Sequence, residues 1–237
     1  MITTQTDSTS HAVERARVKA AQDVAAGLAH ELRNPVFAIA SAAQLLRYRL
    51  GDDPVVEKNL GRILRESERL NAVISALLEF GRPAPVRLSP GDPDEVWSDV
   101  LLASRGLLES KAIIVQRTTA EPRVVCEIDA EQLAKAFTHV LDNAIDAASE
   151  GTDMTLDAAS DDTGAWQCTM TNAGAPVDEE VLARAFEPLS STKAGHAGIG
   201  LATARRILTE HGGQIDLRRA APSGTAVTIR LPAPRHL

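Results

Sequence analysis

Residues 81–93 read GRPAPVRLSPGDP, with four prolines and two glycines in thirteen positions. Prolines fix φ and remove backbone donors, so the tract reads as a linker, residues 81–92, rather than as part of a regular element. The hydrophobic period also differs on its two sides. The chain therefore reads as two structural units of unlike class.

Before the linker the apolar residues recur at three-to-four spacing. Val24, Leu28, Leu32, Ile39, Leu46 and Leu50 mark one long helix from about residue 12 to 50. Leu60, Ile63, Leu64, Leu70, Val73, Ile74, Leu77 and Leu78 mark a second, to about Phe80. Between them stands GDDP (51–54): Gly51 can end the first helix, Asp53 can cap the second and Pro54 suits its first turn. Residues 1–11 are polar and rich in Ser and Thr, and are expected to form a disordered leader. A hairpin over residues 12–80 cannot bury two apolar stripes alone. Two copies forming a four-helix bundle would bury them, so a homodimer is expected.

After the linker, helical and alternating patterns mix. Helices are expected at about 93–109, 130–149, 178–184 and 199–211. Strands are expected at 112–118, 123–128, 153–159, 165–171, 214–219 and 225–231, the last pair joined by a turn at Ser223-Gly224-Thr225. Helices intermixed with largely antiparallel strands predict a two-layer α/β sandwich over residues 93–237, and an α+β class for the chain.

The net charge of −7 argues against nucleic acid as the main partner, and residues 12–80 balance ten basic side chains with nine acidic ones. No apolar run is long enough to span a bilayer, and the start MITTQTDSTS lacks a signal-peptide pattern. Cys126 and Cys168 lie far apart with no CxxC, which fits buried thiols in a reducing compartment. A cytoplasmic location is expected.

Within the first helix lies GLAHELRNPVFAIASAAQLL (27–46). His30 and Asn34 are four residues apart and share a face, with Glu31 beside the histidine. A neutral imidazole is nucleophilic near pH 7, and a neighbouring carboxylate can take the proton from its other nitrogen. Pro35 removes the N–H that would bond the Glu31 carbonyl and so permits a bend near these groups.

AHELRNP resembles the phosphoacceptor box of the two-component sensor histidine kinases. The resemblance implies that His30 takes the γ-phosphoryl group of ATP, that Glu31 is its base, and that Asn34 orients a water for dephosphorylating a partner. It extends through the second unit. HVLDNAIDAA (139–148) is similar to the family's N box, which assigns Asn143 to Mg²⁺, a cation that takes oxygen ligands and bridges phosphates. TNAGAPV (171–177) stands where the family has Asp-x-Gly-x-Gly. Asn172 replaces the adenine-reading aspartate, Gly174 matches, and Pro176 replaces the second glycine. A neutral hydrogen bond in place of a charged one lowers ATP affinity by about fivefold to tenfold. FEPLSSTKAGHAGIGL (186–201) resembles the F box, lid and second glycine box. It makes Lys193 a phosphate-neutralising residue and Gly198, Ile199, Gly200 and Leu201 part of the nucleotide site, together with Thr225 of the final turn.

The resemblance implies an ATP-dependent protein-histidine kinase that passes its phosphoryl group to the aspartate of a response-regulator receiver domain. The input would then arrive through the leader, through the bundle or from an upstream sensory protein. Two alternatives stay open. In one, the chain is a hydrolase of the chaperone or mismatch-repair kind, although His139 stands where those carry a water-activating glutamate. In the other, it is a dimeric phosphotransfer or scaffold protein with a degenerate nucleotide site, as Asn172, Pro176 and His139 suggest.

Overall fold

The computed structural model describes residues 5–50, 53–81, 85–175, 177–188, 190 and 198–233. Along the helices it omits the side chains of residues 5–23, 25, 27, 30, 69, 72, 76, 79 and 80. The chain divides into two compact units. The first comprises the helices up to Ala84, and the second runs from Pro85 onward apart from Ser191–Ile199.

The first unit is a helical hairpin, α1 (Gln5–Leu50) and α2 (Pro54–Gly81), packed along each other. Helix α1 begins well inside the leader expected to be disordered over residues 1–11. No glycine or proline interrupts the chain between Gln5 and Gly27, and once a helix is nucleated each further residue adds a hydrogen bond for little cost. Pro35 lies inside α1. Asp53 caps α2 as its position suggests, its Oδ1 accepting the Val55 and Val56 N–H groups at 2.8 and 3.3 Å. Gly51 lies outside the described residues. Arg47 and Glu57 pair across the connection at 2.7 Å.

The buried positions of the hairpin are not the large apolar ones on α1. Ala29, Val36 and Ala43 are buried at intervals of seven residues, as are Leu60, Ser67 and Ile74 on α2. This is the spacing of a coiled-coil seam, with small residues on α1. The large side chains Val24, Leu28, Leu32, Ile39, Leu46 and Leu50 all remain about half exposed, as do Ile63 and Leu70 on α2. A second apolar stripe is left uncovered.

The second unit is a mixed five-stranded sheet with α5 (Ala130–Ala147) and α7 (Gly200–Glu210) packed on it and on each other, and α3 (Pro93–Ala103) packed on α5. Its strands are β2 (Val115–Thr118), β4 (Met154–Ser160), β5 (Trp166–Asn172), β6 (Gln214–Arg219) and β7 (Thr225–Leu231), in the order β2-β4-β5-β7-β6. Only β2–β4 is parallel. The helices are α3 (Pro93–Ala103), α4 (Arg105–Ser110), α5 (Ala130–Ala147), α6 (Glu179–Arg184) and α7 (Gly200–Glu210). The helix expected at 93–109 is thus two. It breaks at Ser104, whose φ and ψ of −90° and 1° leave the helix, just before Gly106, a poor helix former. Inside the expected linker, β1 (Ser89–Gly91) pairs antiparallel with β3 (Cys126–Ile128). A proline is tolerated there because the strand is a short edge.

Alternation along β5 and β7 sets the core. Trp166, Cys168 and Met170 are buried, as are their cross-strand partners Leu231, Ile229 and Val227. Trp97 of α3 stacks on Phe137 of α5, ring centroids 4.2 Å apart at 8°, and Phe137 lies 5.9 Å from Trp166. A buried carboxylate ties these layers together: Asp94 accepts from Trp166 Nε1 and the Ala120 N–H, both at 3.1 Å, and faces Arg117. Both cysteines are free and buried, and burial pushes the Cys126 thiol up to about 11 and the Cys168 thiol higher.

Candidate functional site

Helix α5 is held at its start by Asp129, whose Oδ1 accepts the Gln132 N–H at 3.1 Å. Its residues Leu133, Ala136, Phe137, Val140, Leu141, Ala144 and Ile145 face the core. His139, Asn143 and Ala147 are four residues apart on another side of the helix and are partly exposed. This stripe has a glycine at each end. At one end, a Cβ on Gly200 would lie 3.3 Å from His139 Nδ1. At the other, a Cβ on Gly174 would lie 2.0 Å from the Ala147 carbonyl oxygen, so only glycine fits. Asn143 sits midway between them in sequence and is partly exposed.

Gly200 is the first residue of α7, whose opening turn carries no acidic side chain. Helix N-termini present unbonded N–H groups and a positive dipole end. Gly198, two residues earlier, has φ of +64°, a conformation that favours glycine, and Ile199 is buried. Leu201 packs against the edge of the core. Phe186 lies beneath the Arg205 guanidinium of α7, 5.6 Å from its ring centroid. Lys193 and Pro176 lie outside the described residues.

Asn172 ends the core-facing side of β5, opposite Thr225 at the start of β7. Both are buried, and the Thr225 hydroxyl donates to Asn172 Oδ1 at 2.6 Å. The Asn172 amide nitrogen is buried and has no hydrogen-bond partner. Such an orphan costs about 1–3 kcal/mol unless a ligand or water satisfies it. Gly174 lies beside that nitrogen, where a Cβ would come within 3.2 Å of it. Gly224, with φ of +105°, packs so closely that a Cβ would fall 1.9 Å from the Asn172 carbonyl oxygen. Its place in the turn was legible in the sequence. Its contact with Asn172 was not, because the β5–β7 register is set by tertiary pairing.

The structure therefore brings Asn172, Gly174 and Thr225 together at the C-terminal end of α5 and Gly200 against His139 two turns earlier, with Asn143 between them on the same side of the helix. His30, Glu31 and Asn34 lie on α1 in the other unit, with Glu31 and Asn34 exposed, and the His30 side chain lies outside the described set. Among the described residues no three His, Cys, Asp or Glu side chains cluster as a metal cage. The donor offered is one amide oxygen, which fits Mg²⁺ because that ion brings its remaining ligands as phosphates and water.

Comparison with known proteins defines the class. Residues 128–235 match the family of histidine kinase-, DNA gyrase B- and HSP90-like ATPases, and residues 20–85 match the His kinase A phosphoacceptor domain. The chain is 33% identical over 211 residues to the sensor histidine kinase ZraS of Klebsiella oxytoca, covering 88% of this chain and 45% of that one. It is 28% identical over 242 residues to the signal transduction histidine-protein kinase AtoS of Escherichia coli, covering 98% and 38%. Among solved structures, ShkA in complex with AMPPNP superposes with a TM-score of 0.72 at 22% identity, over 88% of this chain and 45% of that one. The histidine kinase ThkA in complex with the response regulator TrrA gives 0.71 at 22% identity, over 98% and 67%. The chain belongs to the two-component sensor histidine kinases and comprises their transmitter core. It spans less than half the length of these curated relatives.

Proposed function

We propose that this core phosphorylates His30 from Mg²⁺-ATP and passes the phosphoryl group to an aspartate of a response-regulator receiver domain. The observation that carries the reading is the α5 stripe, with Asn143 between the Gly174 and Gly200 ends. The Asn172 end takes the base, the N-terminus of α7 takes phosphate, and Asn143 stands between them at the place for Mg²⁺. Mg²⁺ held by Asn143 would supply positive charge against the phosphates. An imidazole nitrogen of His30 attacks the γ-phosphorus, the bond to the β–γ bridging oxygen breaks to release ADP, and Glu31 accepts the proton from the other ring nitrogen. The phosphohistidine then loses its phosphoryl group to the receiver carboxylate. With phosphorylated regulator on the same face, Asn34 positions a water against the aspartyl phosphate.

The working unit is a homodimer. A stripe of six half-exposed large apolar residues on α1, continued by Ile63 and Leu70 on α2, calls for a second hairpin of the same kind. ThkA forms a complex with a response regulator and ShkA one with AMPPNP, in keeping with both halves of this reading.

Incubation of the full chain with γ-labelled ATP and Mg²⁺ tests it. Acid-labile label should appear on wild type and be absent from His30→Ala and Asn143→Ala. Label persisting in His30→Ala would overturn the assignment of the acceptor. The orphaned Asn172 amide favours one second reading, a phosphotransfer protein with a decayed nucleotide site. That reading requires no labelling from ATP, but labelling of His30 by phosphorylated regulator.

A further inference from the structure

Asn143 has a second donor next to it on α5. His139 precedes it by four residues in an unbroken helix, so the two side chains rise one above the other from one face, and both are partly exposed. Side chains at this spacing have Cβ atoms about 5–6 Å apart, close enough for an imidazole nitrogen and an amide oxygen to reach one cation. The imidazole is also seated. It packs on Gly200, the first residue of α7, where an ideal Cβ would lie 3.3 Å from Nδ1, 3.6 Å from Cγ and 3.7 Å from Cβ of His139. Glycine at that position admits the ring at the opening of α7, the helix end that takes phosphate in the proposed function. A cation bridging phosphate oxygens to Asn143 therefore has the His139 ring on the same side of α5.

We propose that His139 and Asn143 jointly ligate the divalent cation of bound ATP, and that this nitrogen–oxygen pair raises the preference of the site for a first-row transition ion such as Mn²⁺. The proposal rests on the reading of the α5 stripe as the nucleotide site, and names the ion class that the site takes. Mg²⁺ is a hard ion that keeps oxygen ligands, so it is held through Asn143, phosphates and water and gains little from an imidazole. Mn²⁺ accepts the same octahedral oxygen shell and gains more from a nitrogen donor. One ring nitrogen suffices for the ion, and the packing of the ring on Gly200 fixes its place.

Any oxygen site for Mg²⁺ also takes Mn²⁺, so the test is how the preference changes when the nitrogen is removed. Binding of ATP to the full chain should be measured by calorimetry at saturating Mg²⁺ and at saturating Mn²⁺, for wild type and His139→Asn. The variant offers a second amide oxygen in place of the imidazole. The ratio of the Mn²⁺-ATP affinity to the Mg²⁺-ATP affinity should fall about tenfold in it. Pulsed electron paramagnetic resonance of the Mn²⁺-ATP complex gives a readout independent of affinity. With ¹⁵N-labelled histidine, wild type should show a histidine nitrogen coupled to the ion and His139→Asn should show none. An unchanged ratio, a wild-type spectrum without that coupling, or a coupling that persists in His139→Asn would overturn the assignment and leave the nucleotide reading intact. Failure of wild type to bind ATP with either ion would remove both.

Discussion

His211 Nε2 accepts the backbone N–H of Asp129 at 2.9 Å, joining the end of α7 to the residue that caps α5. The other ring nitrogen faces the Ile207 carbonyl at 2.8 Å and must donate to it. Both ring nitrogens are therefore engaged by the backbone. His211 is 3% exposed, so no water replaces it. His211→Ala leaves the Asp129 N–H without its acceptor and opens a cavity, and should cost about 2–3 kcal/mol. A urea titration of the full chain, followed by tryptophan fluorescence, should show a lower midpoint. An unchanged midpoint would mean that the junction contributes nothing.

Asp161 contributes to the acid dependence of stability. Its carboxylate accepts from the Thr163 hydroxyl, the Thr163 N–H and the Ala165 N–H in the β4–β5 turn, and pairs with Arg230, which hold it at about 2. A depressed pKa gives stability that is fully present above the unfolded value of about 3.9 and is lost as pH falls toward the folded one. Wild type should therefore melt above Asp161→Asn at pH 6. The gap should narrow from about pH 4 down to about pH 2. A gap constant across that range would contradict the assigned network.

The two reactions assigned to the His30 face should separate at Asn34. Asn34→Ala should leave phosphorylation of His30 within a few-fold of wild type, while slowing dephosphorylation of the regulator at least about tenfold, or 1.4 kcal/mol of barrier. The second rate must be started from regulator phosphorylated beforehand. Equal losses in both reactions would reduce Asn34 to a support of the helix.

Placing charge on the open stripe of α1 should split the dimer. Ile39 and Leu46 are each about half exposed in a single chain and lie seven residues apart. Burying a carboxylate there without a partner is prohibitive, so wild type should sediment as a dimer and the double variant Ile39→Glu, Leu46→Glu as a folded monomer. A dimeric double variant would move the interface elsewhere.

Much of this architecture could be read from local pattern. The Asp53 cap and the paired strands of the second unit follow from spacing and turn chemistry. What failed to show in the sequence depended on contacts between distant segments. The large residues of α1 mark its apolar side, yet Ala29, Val36 and Ala43 are the buried ones, because close helix approach selects small side chains. Strand β1 was hidden by its proline and exists through its pairing with β3. The substitution at Asn172 was visible at once. That its oxygen is taken and its nitrogen is not required the β5–β7 register.

The two tryptophans of the chain, Trp97 and Trp166, both belong to the aromatic stack around Phe137, and the helical hairpin has none. Its only aromatic side chains are Phe37, Tyr48 and Phe80. Indole emission excited at the red edge therefore reports on one unit alone, while the far-ultraviolet dichroism of the long helices is weighted toward the other. A single denaturation experiment recorded in both channels can resolve the melting of each half in the intact chain, with no label and no truncation.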